Sequence, residues 1–373
     1  MRITRREFLG LSALGLGAIA LRPLRRFNSL SAGNFVAAAN SIATFPEGDH
    51  LGRVTVAGLP LMSRPTPDSQ TIRLLYEDEI IVVLRRVVGS QPWRTSQTWI
   101  ETPEGFVWSP AVQPVWNRPN QPLRTLPETS LGPGMWVEAS VPYVELVLDN
   151  PPARAPWLNY RISTLGLPPR FFYSQIVWVD QIREDETGQV WYRLNERYGS
   201  GDLFWAQAEA FRPISAEEML PLSQEVEDKR IEVNIAYQTM SCFEGNTEVY
   251  FARVSTGALY NAAGERVDAW GTPLGEHRIW RKAVSLPLSG GSASAGWSLP
   301  AVGWISLFVG SGVAIHSTYW HNNYGEPTSR GCVNCAPDDA KWVFRWTLPQ
   351  VPYDPGDMTV GMPGGTSVNV IET

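Results

Sequence analysis

Along most of the chain, apolar residues recur at every second position or in short runs broken by Gly, Pro and Asn, the pattern of β-strands joined by tight turns. The first such runs are Arg53-Val54-Thr55-Val56, Ile80-Ile81-Val82-Val83-Leu84 and Gly105-Phe106-Val107-Trp108, with a turn-forming Arg64-Pro65-Thr66-Pro67-Asp68 after the first. This spacing predicts a small β-barrel or meander over 47–116. The Pro- and Asn-rich stretch 117–134 has the composition of a linker. A second small β region, 135–215, is expected from Met135–Ala139, Phe171–Ile182 and Val190–Leu194, the last following the turn signal Glu186-Thr187-Gly188. Ala216–Leu220 marks a brief helical pause. From Ile231 the β pattern is strongest: Ile231–Ile235 and Val249–Val254 flank Glu244-Gly245-Asn246 and read as a hairpin. Helical spacing is clear only in Ala336–Trp346, where Pro337, Asp338 and Asp339 form a first turn suited to the positive end of a helix. That helix would begin just after Cys332.

Composition narrows the function. The 373 residues are 43% hydrophobic and 18% charged, with a formal net charge of −6, so the chain is long enough for several cores and is neither disordered nor a polyelectrolyte. The body of the chain carries no Lys/Arg run, which argues against nucleic acid as a partner. Sixteen Trp, with 30 Pro and 32 Gly, suit strand- and loop-rich domains with aromatic grooves for glycans or peptides. The N-terminal Thr4-Arg5-Arg6-Glu7-Phe8-Leu9 and the apolar run Gly10–Leu21 resemble a twin-arginine export signal over 1–39. The run is too short to span a bilayer comfortably, and Ala37-Ala38-Ala39 offers a cleavage site. The expected mature protein begins near Asn40, lies in the periplasm or cell wall, and keeps no stable membrane span.

The order of elements in 47–116, an Arg-x-x-Pro loop before a central strand and then the Trp99–Val107 strand pair, resembles a bacterial SH3-like domain. The remaining chemistry concentrates on the cysteines. A thiolate is the reactive form of Cys, and Gly331 before Cys332 allows close approach of backbone to a substrate. Backbone N–H groups of Arg330 and Gly331 are candidates for an oxyanion hole. His316 follows the strand-like Gly312-Val313-Ala314-Ile315 and precedes Cys332 by sixteen residues, which makes it the candidate base.

Ile315-His316-Ser317-Thr318, a loop ending in Gly325, and Ser329-Arg330-Gly331-Cys332-Val333-Asn334 together resemble the signature of YkuD-type L,D-transpeptidases. Thr256-Gly257 and Thr272-Pro273-Leu274-Gly275 look like the early turns of that family. The resemblance covers 229–373. It implies a mainly β protein, with a β-sandwich catalytic domain preceded by one or two small SH3-like barrels that bind the cell wall. It also implies a cysteine acyltransferase that forms 3→3 cross-links between peptidoglycan stem peptides, works as a monomer and needs no cofactor or metal. Cys332 would be the nucleophile and His316 the general base and acid, held by the backbone carbonyl of Ser317. Arg330 departs from the family, which usually has His there; a guanidinium stays protonated and cannot serve as base.

Trp320, Tyr324, Ser329 and Asn334 are candidate substrate contacts, although Trp320 and Tyr324 could equally be packing residues and Asn334 could cap the following helix. His321 reads as a surface loop residue, a substrate contact or a second proton relay. Cys332-Val333-Asn334-Cys335 is also a CxxC, open to a redox or zinc reading. For an exported protein a Cys242–Cys335 disulfide, leaving Cys332 free, is expected instead. An L,D-carboxypeptidase of the same fold and an inactive wall-binding protein remain alternatives at this stage.

Overall fold

The computed structural model describes residues 43–260, 264–290 and 297–372, and within them strands predominate. The expected export signal, 1–39, lies outside the described residues. Strands Leu51–Val54, Ile80–Val82 and Val112–Val115 form one small sheet, and Thr71–Leu75, Leu59–Met62, Gly105–Trp108, Thr98–Thr102 and Arg85–Val88 form a second, in that order. Alternation drives this region inward: Val54, Leu59, Leu61, Leu75, Ile100, Val107 and Val112 make one buried cluster. The stretch expected as a linker, 117–134, itself contains a short hairpin pairing Glu128–Thr129 with Gly132–Pro133.

In the next region, a six-stranded antiparallel sheet runs in the order Val147–Leu148, Leu203–Gln207, Val190–Asn195, Ile176–Glu184, Met135–Ala139, Phe211–Pro213. The apolar run Phe171–Ile182 is two strands rather than one. Ser174, at φ 71°, breaks it, so that Arg170–Phe172 pairs with Tyr143–Glu145 and Ile176–Glu184 joins the large sheet. A four-residue helical turn, Pro156–Asn159, continues into a π-helical turn, Tyr160–Thr164; neither has the length to produce a periodic signal.

The C-terminal region is a sandwich of two five-stranded sheets. One is ordered Thr247–Arg253, Thr239–Glu244, Lys229–Asn234, Ser367–Ile371, Gly275–Arg278; the other is ordered Val333–Cys335, Ala314–Ser317, Trp297–Leu307, Arg281–Gly290, Asp357–Thr359. The hairpin at Gly245-Asn246 joins Thr239–Glu244 to Thr247–Arg253, while Lys229–Asn234 is the third strand, so the expected partner of Ile231–Ile235 is corrected. One cluster joins both sheets, taking Ile231, Val233, Met240 and Val368 from the first and Trp304, Ile315 and Val333 from the second. The helix Pro337–Trp346 adds Ala340, Val343, Phe344 and Trp346 to that core.

The three regions share cores. Leu51 and Val115 belong to the cluster of the second region, and Trp136, Ile176 and Trp178 to that of the sandwich. Among the described residues, no helix is long and apolar enough to cross a membrane.

Candidate active site

A parallel strand pair joins the segments that carry His316 and Cys332. Ala314–Ser317 and Val333–Cys335 align with His316 opposite Asn334 and Ile315 opposite Val333, so Cys332 opens the strand beside Ala314. His316 and Asn334, directly opposed, share one face of the pair, and Cys332 stands in the bend just before it. A strand therefore separates Cys332 from the helix that begins at Pro337, correcting the expectation that the cysteine stands directly before a helix N-terminus. Asn334 does not cap that helix; its N-cap is Ala336, with no side-chain cap.

His316 is 1% exposed. Its Nδ1 lies 2.8 Å from the Ser317 carbonyl, an acceptor, so Nδ1 carries the proton and Nε2 keeps its lone pair. Burial lowers the His316 pKa to about 4, only partly opposed by that hydrogen bond. Cys332 is half-buried, with Sγ 3.9 Å from the Gly312 carbonyl. Burial pushes its thiol above the ordinary value, and a contact with the Ala314 backbone opposes this. At neutral pH the pair therefore rests as thiol and imidazole, rather than as the preformed thiolate that a helix terminus would have favoured.

The turn before Cys332 is tightly tied. Ser329 Oγ donates to the Cys332 carbonyl at 2.6 Å and accepts the Gly331 N–H at 3.1 Å. Ser329 is thus an internal brace rather than a free substrate contact, and the Gly331 N–H must change partner before it can serve an oxyanion. Gly331 has φ +118°, a conformation that side chains disfavour. The two early turns meet here: Thr272 Oγ donates to the Gly331 carbonyl at 2.8 Å and accepts the Gly257 N–H at 2.9 Å. Gly257 is required by close approach, since a Cβ there would stand 1.9 Å from the Trp270 carbonyl oxygen.

The intervening loop brings Trp320 to within 5.7 Å of His316, ring to ring. The Tyr324 hydroxyl donates to the Cys335 carbonyl at 3.1 Å, so its polar end serves the scaffold. His321, read from the sequence first as a surface residue, is buried; its Nδ1 accepts the Asn323 N–H at 3.1 Å and its Nε2 lies 2.8 Å from the Asn334 amide nitrogen. A neutral ring accepting at Nδ1 carries its proton on Nε2, which the Asn334 amide, turned over, would meet with its oxygen. The flanking aromatics Trp320 and Tyr324 were the only sequence signal that this His lies inside.

All three cysteines are free, so the expected Cys242–Cys335 disulfide is not formed. Cys242 and Cys335 sit on strands of the two different sheets, and both lie as free thiols in the one buried cluster that joins those sheets. Among the described residues, no group of three His, Cys, Asp or Glu side chains could hold a metal ion.

The family model of the YkuD L,D-transpeptidase catalytic domain matches residues 228–370. This stretch is a YkuD-type domain. Its bounds coincide with the sandwich, and they contain Cys332, His316 and both early turns. Solved structures that resemble the chain include an Enterococcus faecium L,D-transpeptidase mutant, 23% identical, covering 39% of this chain and 50% of that one with a TM-score of 0.29. The NMR structure of the E. faecium catalytic domain is also 23% identical, covering 39% of this chain and 98% of that one with a TM-score of 0.29. An L,D-transpeptidase from Mycobacterium smegmatis is 16% identical, covering 52% and 98% with a TM-score of 0.31. The chain thus spans half the length of the longer Enterococcus faecium protein. No curated protein sequence matches it.

Proposed function

We propose that the protein is an exported, cell-envelope L,D-transpeptidase that forms 3→3 peptidoglycan cross-links through a thioester on Cys332. One observation carries this reading: a buried His316, its Nδ1 engaged by the Ser317 carbonyl so that Nε2 keeps its lone pair, lies on the strand that pairs with the one Cys332 leads into. The Cys332 sulfur attacks the carbonyl joining stem residue three to the terminal D-Ala, and the thiol proton passes to His316 Nε2. The tetrahedral intermediate collapses when His316 returns that proton to the departing D-Ala amine, leaving the thioester. The side-chain amine of residue three in a second stem then attacks the thioester carbonyl. His316 takes the proton of that amine and delivers it to the departing thiolate. No step calls for a cofactor. The two N-terminal β regions, 47–116 and 135–215, fit a role in presenting the domain to the wall.

The test is mass spectrometry of the protein and its Cys332→Ala variant after incubation with a tetrapeptide-stem muropeptide. Released D-Ala with a cross-linked dimer, lost in the variant, is the expected result. Tripeptide without dimer would make the protein an L,D-carboxypeptidase, with water resolving the thioester, and no Cys332-dependent product would leave a wall-binding protein.

A further inference from the structure

Two residues before the nucleophile, Arg330 is exposed, with its guanidinium carbon 5.0 Å from the Trp270 ring centroid and 5.8 Å from that of Trp297. Arginine side chains normally sample many rotamers, and stacking on two indoles restricts them while leaving the in-plane N–H donors open. The backbone beneath is equally constrained. Ala258 N–H donates to the Ser329 carbonyl at 2.9 Å, and Thr272 holds the Gly331 carbonyl. The acid nearest in sequence to Trp270, Asp268, is paired with Arg266 at 2.5 Å, and among the described residues no carboxylate forms an ion pair with Arg330. A fixed cation with free donors beside a nucleophile is arranged for an anionic group on the substrate. A planar guanidinium selects a carboxylate, which it can meet with two parallel hydrogen bonds.

We propose that Arg330, framed by Trp270 and Trp297, binds a carboxylate of the donor stem peptide and so makes the enzyme selective for stems in which that group is free rather than amidated. This rests on the reading of Cys332 as the acceptor of a stem acyl group. The leaving D-Ala carries a carboxylate on the carbon bonded to the scissile nitrogen, the closest such group to the sulfur; the side-chain carboxylates of the stem are the other source. A histidine at this place would be largely uncharged at neutral pH and would not hold the group as a permanent cation does.

The experiment measures, by calorimetry on Cys332→Ala protein, the Kd of three tetrapeptides: all carboxylates free, the terminal one amidated, or the side-chain ones amidated. Each is repeated with Arg330→Gln and Arg330→Lys added. Loss of a charge-assisted, two-pronged contact is expected to weaken binding roughly tenfold to a hundredfold. The free peptide should lose this factor on Arg330→Gln and part of it on Arg330→Lys. One amidated peptide should bind Arg330 protein as weakly as it binds the Gln variant, which identifies the carboxylate. An Arg330→Gln variant that binds all three peptides as the Arg330 protein does overturns the inference while leaving the transpeptidase reading in place. Absence of binding by every peptide to every variant strikes at the transpeptidase reading itself.

Discussion

Burial sets the resting chemistry of His316 and Cys332. Desolvation disfavours the charged form of each group, lowering His316 to about 4 and raising Cys332. In the proposed mechanism, proton transfer between them must then be driven by substrate binding rather than stored in the free protein. Alkylation of Cys332 by iodoacetamide is accordingly expected to be slow at pH 7 and to climb about tenfold per pH unit toward the thiol pKa. Fast alkylation independent of pH from 5 upward would reveal a standing thiolate–imidazolium pair and contradict this. The same burial couples to stability. His316 at about 4 and His321 at about 3 both titrate below an unfolded histidine. As pH falls from about 6.5 toward about 3, the unfolded chain takes up protons that the native one refuses, and stability declines through that window. Denaturant titrations across it should show a smaller slope for His321→Gln than for the parent.

At the level of elements, the loop between Ser317 and Val333 is held from the far end of the chain. Arg53, 3% exposed, donates through Nη2 to the Tyr319 carbonyl at 2.5 Å and pairs with Asp78 at 2.8 Å, and its guanidinium lies 4.0 Å over the Phe172 ring. Farther along the loop, the Asn322 N–H donates to the Pro110 carbonyl at 3.2 Å, and Glu326 accepts the Thr95 N–H at 2.7 Å. Since this loop carries Trp320 and His321, the first β region takes part in shaping the site. Arg53→Met would leave Asp78 with less compensation and the Tyr319 carbonyl without its donor, a cost of about 3–5 kcal/mol for breaking a buried pair. The expected result is a marked fall in Tm and, in the protein that remains folded, slower Cys332 acylation than in a surface control such as Arg85→Met. Equal acylation rates per folded molecule would show that the loop keeps its shape unaided.

For the whole molecule, shared cores imply shared folding. Trp136 of the second region donates from Nε1 to the Tyr353 carbonyl at 2.7 Å and receives Gly356 against its ring. Ile176 lies in the sandwich core, where its side chain comes so close to Gly303 that a Cβ there would stand 2.6 Å from it. Cutting the chain before 229 removes these covers and exposes contiguous apolar surface, which drives association. Residues 41–373 should therefore unfold in one calorimetric transition, and a fragment of 229–373 should be less stable and more prone to aggregate. Two well-separated transitions, or a monomeric fragment of unchanged Tm, would show that the regions fold independently.

What could be read from the chain alone was local. Alternation located most strands, Pro337 with two acids located the helix, and the His316 and Cys332 motifs with their glycines pointed to one kind of site, because these signals depend on residues a few positions apart. The tertiary structure decided the rest. It brought Thr272 and Gly257 under Gly331, buried His321 against Asn334, placed Cys242 and Cys335 in opposite sheets, and carried Arg53 across 266 positions to Tyr319. Such contacts follow from which sheets pack face to face and which loops are thereby forced together, and no local periodicity encodes that.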